Sequence, residues 1–285
     1  MEIRGQIDEA ARIPWAHLRI PPFPQIAIRV LQLTNNEDVS MRDLGDLISS
    51  DPSFSSEVLA IANSALYANR SPVTGILQAI AVLGTNRLKG VCLTVGVRAY
   101  LGKSLQHESF RAMWRHSLAC ALIAEQVARG ASMNENNAYT AGVLHDIGRL
   151  ALLIIRPETY GTLLMTHSGS SSSVLLCERD LFGFDHCEAG RNLIVDWKLP
   201  ADFEAIVSDH HSPREKENVW DLPALINLSC RMADTIGFAV FPQCEITPYA
   251  DLLAELPQRE AKGFHTDREI LAVEVSTKIN ALELG

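Results

Sequence analysis

Apolar residues in this chain recur every three or four positions, which is the spacing of amphipathic helices. Ile26, Val30 and Leu33 follow this spacing near the start of the chain. Ser40, with an aspartate three positions later, and Asp51, followed by a proline, are typical helix-start signals. Alternating apolar and polar runs bounded by hairpin turns are absent from the sequence. We therefore predict an all-α fold.

The same signals continue along the rest of the chain. A helix is predicted to begin at Thr74 and to end at Gly84, and another begins at Thr85. Longer helices with polar residues set into them are predicted at 110–129, 135–155, 157–167, 173–182, 186–197, 200–210 and 222–236. Thr247 and Pro248 begin a short helix, and a capping box at Thr266 begins a final one that ends near Leu284.

Composition limits the classes of partner. The 285 residues are 47% hydrophobic, enough for one large domain or two modest ones, and the net charge of −9 disfavours nucleic acid and anionic membranes as partners. The apolar stretch Leu150–Ile155 is far shorter than the roughly 20 residues that span a bilayer. The mixed charges of residues 1–10 do not resemble a secretory signal, and the six cysteines form no C-x-x-C pair. These features predict a cytoplasmic protein with reduced thiols and no membrane partner.

Histidine and aspartate residues interrupt the apolar helices of the second half. Imidazole and carboxylate groups together suit Fe, Mn, Zn or Mg, and a carboxylate can bridge two cations about 3.5–4 Å apart that activate water for phosphoester attack. Burying two adjacent polar residues in an apolar helix costs several kcal/mol unless they are satisfied, which a metal would do. We expect one or two divalent ions here. The candidate ligands are His116, His145, Asp146, His186, His210, His211 and Asp234.

The segment Ala141–Gly148, which reads AGVLHDIG, resembles the signature of the HD superfamily of metal-dependent phosphohydrolases. The resemblance implies that the metal ligands are His116, His145, Asp146 and Asp234. It also implies that His186, His210 and His211 match the additional ligand positions of the HD-GYP cyclic di-GMP phosphodiesterases.

Three blocks in the first half are similar to HDOD domains, and they occur in that family's order and spacing. They are Ile20–Gln25 (IPPFPQ), Asp51–Ala65 with its DPS and LAIANSA motifs, and Gln78–Gly84 (QAIAVLG). This resemblance implies an N-terminal helical lobe at 14–105, packed on an HD-like lobe at 106–240 and followed by a helical extension at 241–285. It also implies a bacterial signalling role, generally without demonstrated catalysis.

The chain departs from the hydrolases at informative positions. Arg149 replaces the lysine that follows the His-Asp motif in HD-GYP enzymes; an arginine can hold a phosphate but is a poor acid or base. His211 runs into Ser212–Lys216 without a Gly-Tyr-Pro loop, and Ala112 stands where members with three metals have a glutamate, so no third metal is expected.

Our hypothesis is a non-catalytic signalling module with no catalytic residue, which contacts a signalling protein through its N-terminal lobe. Tyr67 is either an anchor of that contact or a residue that packs the lobe against the second half. The alternative function is a metal-dependent phosphohydrolase acting on a nucleotide or cyclic dinucleotide, and the retained ligands favour it.

Overall fold

The computed structural model describes residues 14–34, 39–64, 66–67, 71–211, 220–256, 264–265 and 267–284, and these ranges contain helices and no strand. The first half holds α1 (Gln25–Leu33), α2 (Met41–Ser49), α3 (Pro52–Ala62), α4 (Ile76–Leu101) and α5 (Glu108–Gly130). The second half holds α6 (Glu135–Leu144), α7 (Ile147–Ile155), α8 (Pro157–Thr166), α9 (Ser171–Phe182), α10 (His186–Asp196), α11 (Glu204–Asp209), α12 (Leu222–Ala233), α13 (Tyr249–Glu255) and α14 (Arg268–Leu284). The all-α prediction is confirmed.

The predicted helix starts at Ser40 and Asp51 are also confirmed, whereas the helix predicted to begin at Thr74 begins at Ile76. The Ser40 hydroxyl accepts a hydrogen bond from the Asp43 amide at 3.0 Å, and the Asp51 carboxylate accepts one from the Phe54 amide at 3.0 Å. Each acceptor satisfies an amide that has no partner inside its helix. Gly84 has a φ of 74°, so α4 is kinked where the sequence predicts the junction of two helices.

The predicted helix 135–155 is wrong in one respect, because the chain bends at His145 and Asp146 between α6 and α7. The reason is tertiary. Gly148 approaches the backbone of α10 so closely that a Cβ there would lie 1.9 Å from the His186 carbonyl oxygen. This contact lies directly after the bend, and it requires a residue without a side chain at position 148.

The C-terminal predictions need two smaller corrections. The helix predicted at 222–236 is regular only to Ala233 and continues as a π-helical turn, Asp234–Phe238. The final helix is capped by Asp267, whose carboxylate accepts hydrogen bonds from the amides of Glu269 and Ile270. Thr266, which the sequence predicts as part of this cap, lies outside the described residues.

The core is continuous between the two halves. Helix α5 packs against α6 and α12, and α4 connects α1, α2 and α3 to α6. Tyr67 lies on this junction, because the Arg87 guanidinium is 5.8 Å from the centre of its ring and also pairs with Glu125 of α5. The structure therefore favours packing between the halves as the role of Tyr67.

Two stretches, Ile76–Gln106 and Glu135–Ile155, are long and apolar enough to cross a membrane by length and composition. Their most apolar windows are 56% and 89% buried inside the protein, respectively.

Candidate metal centre

Five segments bring the predicted residues toward one point. His116 lies on α5, His145 and Asp146 form the bend between α6 and α7, and His186 is the first residue of α10. His210 and His211 follow α11, and Asp234 begins the π-helical turn after α12. Asp185 is the cap of α10, as expected of an aspartate before a helix: its carboxylate accepts a hydrogen bond from the Glu188 amide at 2.9 Å.

Asp146 occupies the centre of the cluster. Its Oδ1 lies 3.4 Å from Nε2 of His186 and 3.3 Å from Nε2 of His210. Its Oδ2 lies 3.5 Å from Nε2 of His145 and 3.8 Å from Nε2 of His116. The structure thus brings four of the predicted histidines around the predicted aspartate.

The opposite nitrogens of these histidines explain their orientation, because each Nδ1 faces a hydrogen-bond acceptor. A proton on Nδ1 leaves the Nε2 lone pair directed at Asp146, which is how proteins orient imidazole ligands. The acceptors are the carbonyl of Phe238 for His116 at 2.8 Å, of Gly142 for His145 at 2.8 Å, of Ile206 for His210 at 3.1 Å, and the carboxylate of Glu178 for His186 at 2.6 Å.

The residues fit a metal ion. His145 Nε2, His210 Nε2 and Asp146 Oδ1 are buried and have no hydrogen-bond partner among the described residues. These atoms are acceptors that face one another, so a cation would satisfy them together where a protein donor is absent. Two donor sets have ligand atoms within 4.8 Å of one another: Asp146, His186, His210 and His211, and separately His116, His145 and Cys230.

Protonation also suits metal ligation at most of these positions. Burial lowers the pKa of His145 to about 3, and burial likewise lowers the pKa values of His210 and His211. These imidazoles are neutral near pH 7, the form that binds metal. At His186, burial and then Arg149 lower the pKa, but Glu178 and Cys187 outweigh them and raise it to about 10. A metal at Asp146 Oδ1 would therefore compete with a proton on His186.

Arg149 points into the cluster and is buried. Its Nε lies 2.9 Å from Asp146 Oδ2, and its Nη1 donates to Glu178 at 3.0 Å and to the Tyr160 hydroxyl at 3.1 Å. Its Nη2 lies 3.2 Å from Nε2 of His211. All three nitrogens of the guanidinium face protein groups, so Arg149 is the counter-charge of two buried carboxylates. The phosphate contact expected for Arg149 stays a prediction.

Asp234 is not brought into either donor set. Its Oδ1 lies 3.4 Å from Nδ1 of His116, the nitrogen that faces the Phe238 carbonyl, and not near Nε2. Burial raises the pKa of Asp234 to about 6, against the opposing effect of His116. The structure therefore gives Asp234 an outer position beside His116, and direct ligation by Asp234 stays a prediction.

Glu178 is a residue of the site that sequence reasoning missed. It is fully buried on α9, and its carboxylate accepts from the amide of His186 at 2.9 Å and from the Tyr160 hydroxyl at 2.6 Å, besides Nδ1 of His186. A signal was available, because Glu178 lies four residues after Val174 and four before Phe182, both buried. That spacing puts it on the apolar face of α9.

Cys230 was also missed as a site residue. The sequence indicates only a reduced, buried thiol, but Sγ lies 3.4 Å from Nε2 of His116. Burial, then Asp234 and Asp146, raise the pKa of this thiol well above its ordinary value. Without a nearby cation, Cys230 therefore keeps its proton.

A cavity of about 430 Å³ opens onto the cluster. His116, Asp146 and Arg149 line it, together with Phe241 and Thr247 from the segment after α12. This volume is in the range of sites for small molecules. The segment after His211, where the sequence lacks a Gly-Tyr-Pro motif, lies outside the described residues.

The family model of the HDOD domain matches residues 20–213, which is most of the chain. This chain belongs to the HDOD family. The matched range contains the three N-terminal blocks and also His116, Asp146 and His186 of the cluster.

Solved structures of similar fold agree with this assignment. An HDOD domain protein with unknown function from Geobacter sulfurreducens is 24% identical, with a TM-score of 0.66, and 94% of this chain and 92% of that chain are covered. A proposed phosphohydrolase from Shewanella amazonensis SB2B is 22% identical, with a TM-score of 0.67 and coverage of 92% and 94%. A proposed signal transduction protein from Marinobacter aquaeolei VT8 is 24% identical, with a TM-score of 0.63 and coverage of 93% and 58%. At these identities the likeness shows the fold.

Among curated proteins, an uncharacterized protein from Treponema pallidum (strain Nichols) is 23% identical over 223 residues. The aligned region covers 75% of this chain but only 43% of that relative.

Proposed function

We propose that this HDOD protein is a signalling protein whose His/Asp cluster binds divalent metal and serves a structural or ligand-sensing role, without hydrolysing phosphodiesters. Its signal passes by contact with a protein partner. The family assignment supports a signalling role, and the convergent, unpartnered acceptors around Asp146 support the metal.

The proposal that the protein does not hydrolyse phosphodiesters rests on the position of Arg149. Phosphodiester hydrolysis needs a group that can deliver a proton to the leaving oxygen. Arg149 holds its proton permanently, and its nitrogens already face Asp146, Glu178 and His211. It also places a fixed positive charge 2.9 Å from one oxygen of the carboxylate that would bridge two ions. The guanidinium therefore weakens the attraction of that oxygen for a second cation.

Two groups of residues would hold metal: Asp146, His186, His210 and His211, and separately His116 and His145. A bound divalent ion would supply a Lewis acid and a cross-link between the helices that carry its ligands. The protein's own part is to orient each imidazole through Nδ1 and to exclude water from the donor atoms. Metal binding would thus stabilise the contact of α6 and α7 with α10 and α11.

We place the partner contact on the N-terminal lobe because it holds the three family-specific blocks, and it also exposes large apolar side chains. Met41 of α2 and Leu77 of α4 are 55% and 53% exposed, and Leu77 lies beside Gly45 of α2. Replacing both with serine should reduce capture of the protein's partner from a bacterial lysate without changing the melting temperature. Met165 and Leu176, which are 55% and 59% exposed in the second half, are the matched control pair. Equal loss of capture with the control pair would contradict this placement.

A second candidate function is metal-dependent hydrolysis of a nucleotide or cyclic dinucleotide. The cavity of about 430 Å³ that reaches Asp146 favours it, because a substrate phosphate there would meet the cluster.

Turnover measurements separate the two candidates. Chelator-treated protein would be reloaded with Mn²⁺, Fe²⁺ or Zn²⁺ and assayed with cyclic di-GMP and with bis(4-nitrophenyl) phosphate. We expect rates equal to those of Asp146→Ala, which lacks the central carboxylate. Metal-dependent turnover that disappears in Asp146→Ala would refute the non-catalytic assignment and establish the second candidate.

A further inference from the structure

Cys230 brings a sulfur atom into the metal centre. Its Sγ lies 3.4 Å from Nε2 of His116, and the ligand atoms of Cys230, His116 and His145 all lie within 4.8 Å of one another. His145 Nε2 is buried and has no hydrogen-bond partner among the described residues, so its lone pair is available to a metal ion. The group is therefore more than a lone cysteine.

The separation of these atoms fits a shared ion. A zinc ion with bonds of about 2.0–2.1 Å to nitrogen and about 2.3 Å to sulfur places the two ligand atoms roughly 3.5 Å apart at a tetrahedral angle. The observed distance of 3.4 Å between Sγ of Cys230 and Nε2 of His116 is close to this ligand-to-ligand distance. The distance of 3.5 Å between Nε2 of His145 and Oδ2 of Asp146 is likewise close to the distance expected between a nitrogen and an oxygen ligand of one ion.

Helix α12 and the turn that follows it offer two possible ligands one turn apart, and their positions differ. Asp234 lies on the Nδ1 side of His116, where the Phe238 carbonyl already accepts the proton. Cys230 lies on the Nε2 side, where the lone pair is directed. The side chain from this region that can share an ion with His116 is therefore the thiol.

We propose that Cys230 is a thiolate ligand of the ion held by His116 and His145, and that it makes this site select zinc over the harder Mg²⁺ and Mn²⁺. On binding, the S–H bond breaks, the proton leaves to solvent, and the sulfur donates its electron pair to the metal. Thiolate and imidazole donors suit zinc, whereas Mg²⁺ and Mn²⁺ favour oxygen ligands. The inference rests on the proposed metal site, and it adds the identity of one ligand and of the preferred ion.

X-ray absorption at the zinc edge of the wild-type protein tests this without any substitution. We expect a sulfur scatterer at about 2.3 Å in addition to nitrogen and oxygen at about 2.0–2.2 Å. Bound zinc with nitrogen and oxygen scatterers alone would overturn the role of Cys230 and leave the metal site intact. A protein that binds neither zinc nor any other divalent ion would overturn both.

Cobalt substitution assigns the sulfur to one residue. Wild-type protein loaded with Co²⁺ should show near-ultraviolet thiolate-to-cobalt charge-transfer absorption, which Cys230→Ser should lose. Cys187→Ser is the matched control, because Sγ of Cys187 lies 3.6 Å from Nε2 of His186 but joins neither donor set. Loss of the band in Cys187→Ser, with retention in Cys230→Ser, would contradict the proposal.

Discussion

Glu178 gives the sharpest test of how the protein holds its metal ligands. Its carboxylate faces four donors: Oε1 accepts from Tyr160 and Arg149, and Oε2 accepts from the amide and Nδ1 of His186. Glu178→Ala leaves the Arg149 charge and the Tyr160 hydroxyl without this partner in a buried site. Removal of one member of a buried ion pair costs about 3–5 kcal/mol. We expect a loss of that size in the free energy of unfolding, measured by urea titration in chelator.

Glu178→Gln keeps the volume and separates the effect on metal from the effect on stability. Either orientation of the amide turns its NH₂ group toward two donors, so the substitution costs about 1–3 kcal/mol. His186 then loses the anion that orients its ring. Loss of such an orienting partner weakens metal binding about 10–100-fold, or about 1.4–2.7 kcal/mol.

The assay is competition for zinc against a chelator of known affinity, with urea titration of the same preparations. Glu158→Gln is the control, because Glu158 is an exposed glutamate on α8. Zinc affinity equal to that of the wild type in Glu178→Gln would refute the orienting role, even if stability falls as expected.

Three further predictions follow from particular contacts. Gly148→Ala would place a Cβ 1.9 Å from the α10 backbone and should lower the free energy of unfolding by about 3 kcal/mol in urea titration. A Cβ at Gly75 meets nothing within 4 Å, so Gly75→Ala should cost less than about 1 kcal/mol. Equal effects would contradict the close contact. Arg149→Met should lower the melting temperature in chelator. Added zinc should raise the melting temperature of this variant more than that of the wild type, because the metal replaces the guanidinium as the counter-charge of Asp146. An equal rise in both proteins would argue against that role. Asp234→Asn should retain zinc with affinity reduced about 10-fold, as for an outer partner, whereas zinc lost as completely as in Asp146→Asn would make Asp234 a direct ligand.

The sequence predicts much of the fold because its signals are local. Ser40 and Asp51 cap helices through amides three residues away, so their role can be deduced from neighbouring residues. The bend at His145 and Asp146 cannot be predicted in this way. It depends on the contact of Gly148 with α10, which lies about forty residues further along the chain.

The same distinction between local signals and tertiary contacts applies to the candidate site. Histidines in apolar helices stand out in a sequence, and the structure brings His116, His145, His186, His210 and His211 into the two donor sets. The direction in which a side chain points depends on partners from other helices. The inward orientation of Arg149 depends on Glu178 of α9 and Tyr160 of α8, which are distant from it in the sequence.

Metal content per chain tests the central claim most directly. Protein purified without chelator would be analysed by inductively coupled plasma mass spectrometry, together with His145→Ala and with His107→Ala as an exposed control. We expect one or two divalent transition-metal ions per chain in the wild type and in His107→Ala, and most of that metal lost in His145→Ala, because His145 Nε2 is a buried acceptor with no other described partner. Wild-type protein without metal, and with the same melting temperature in chelator as in added zinc, would contradict the account.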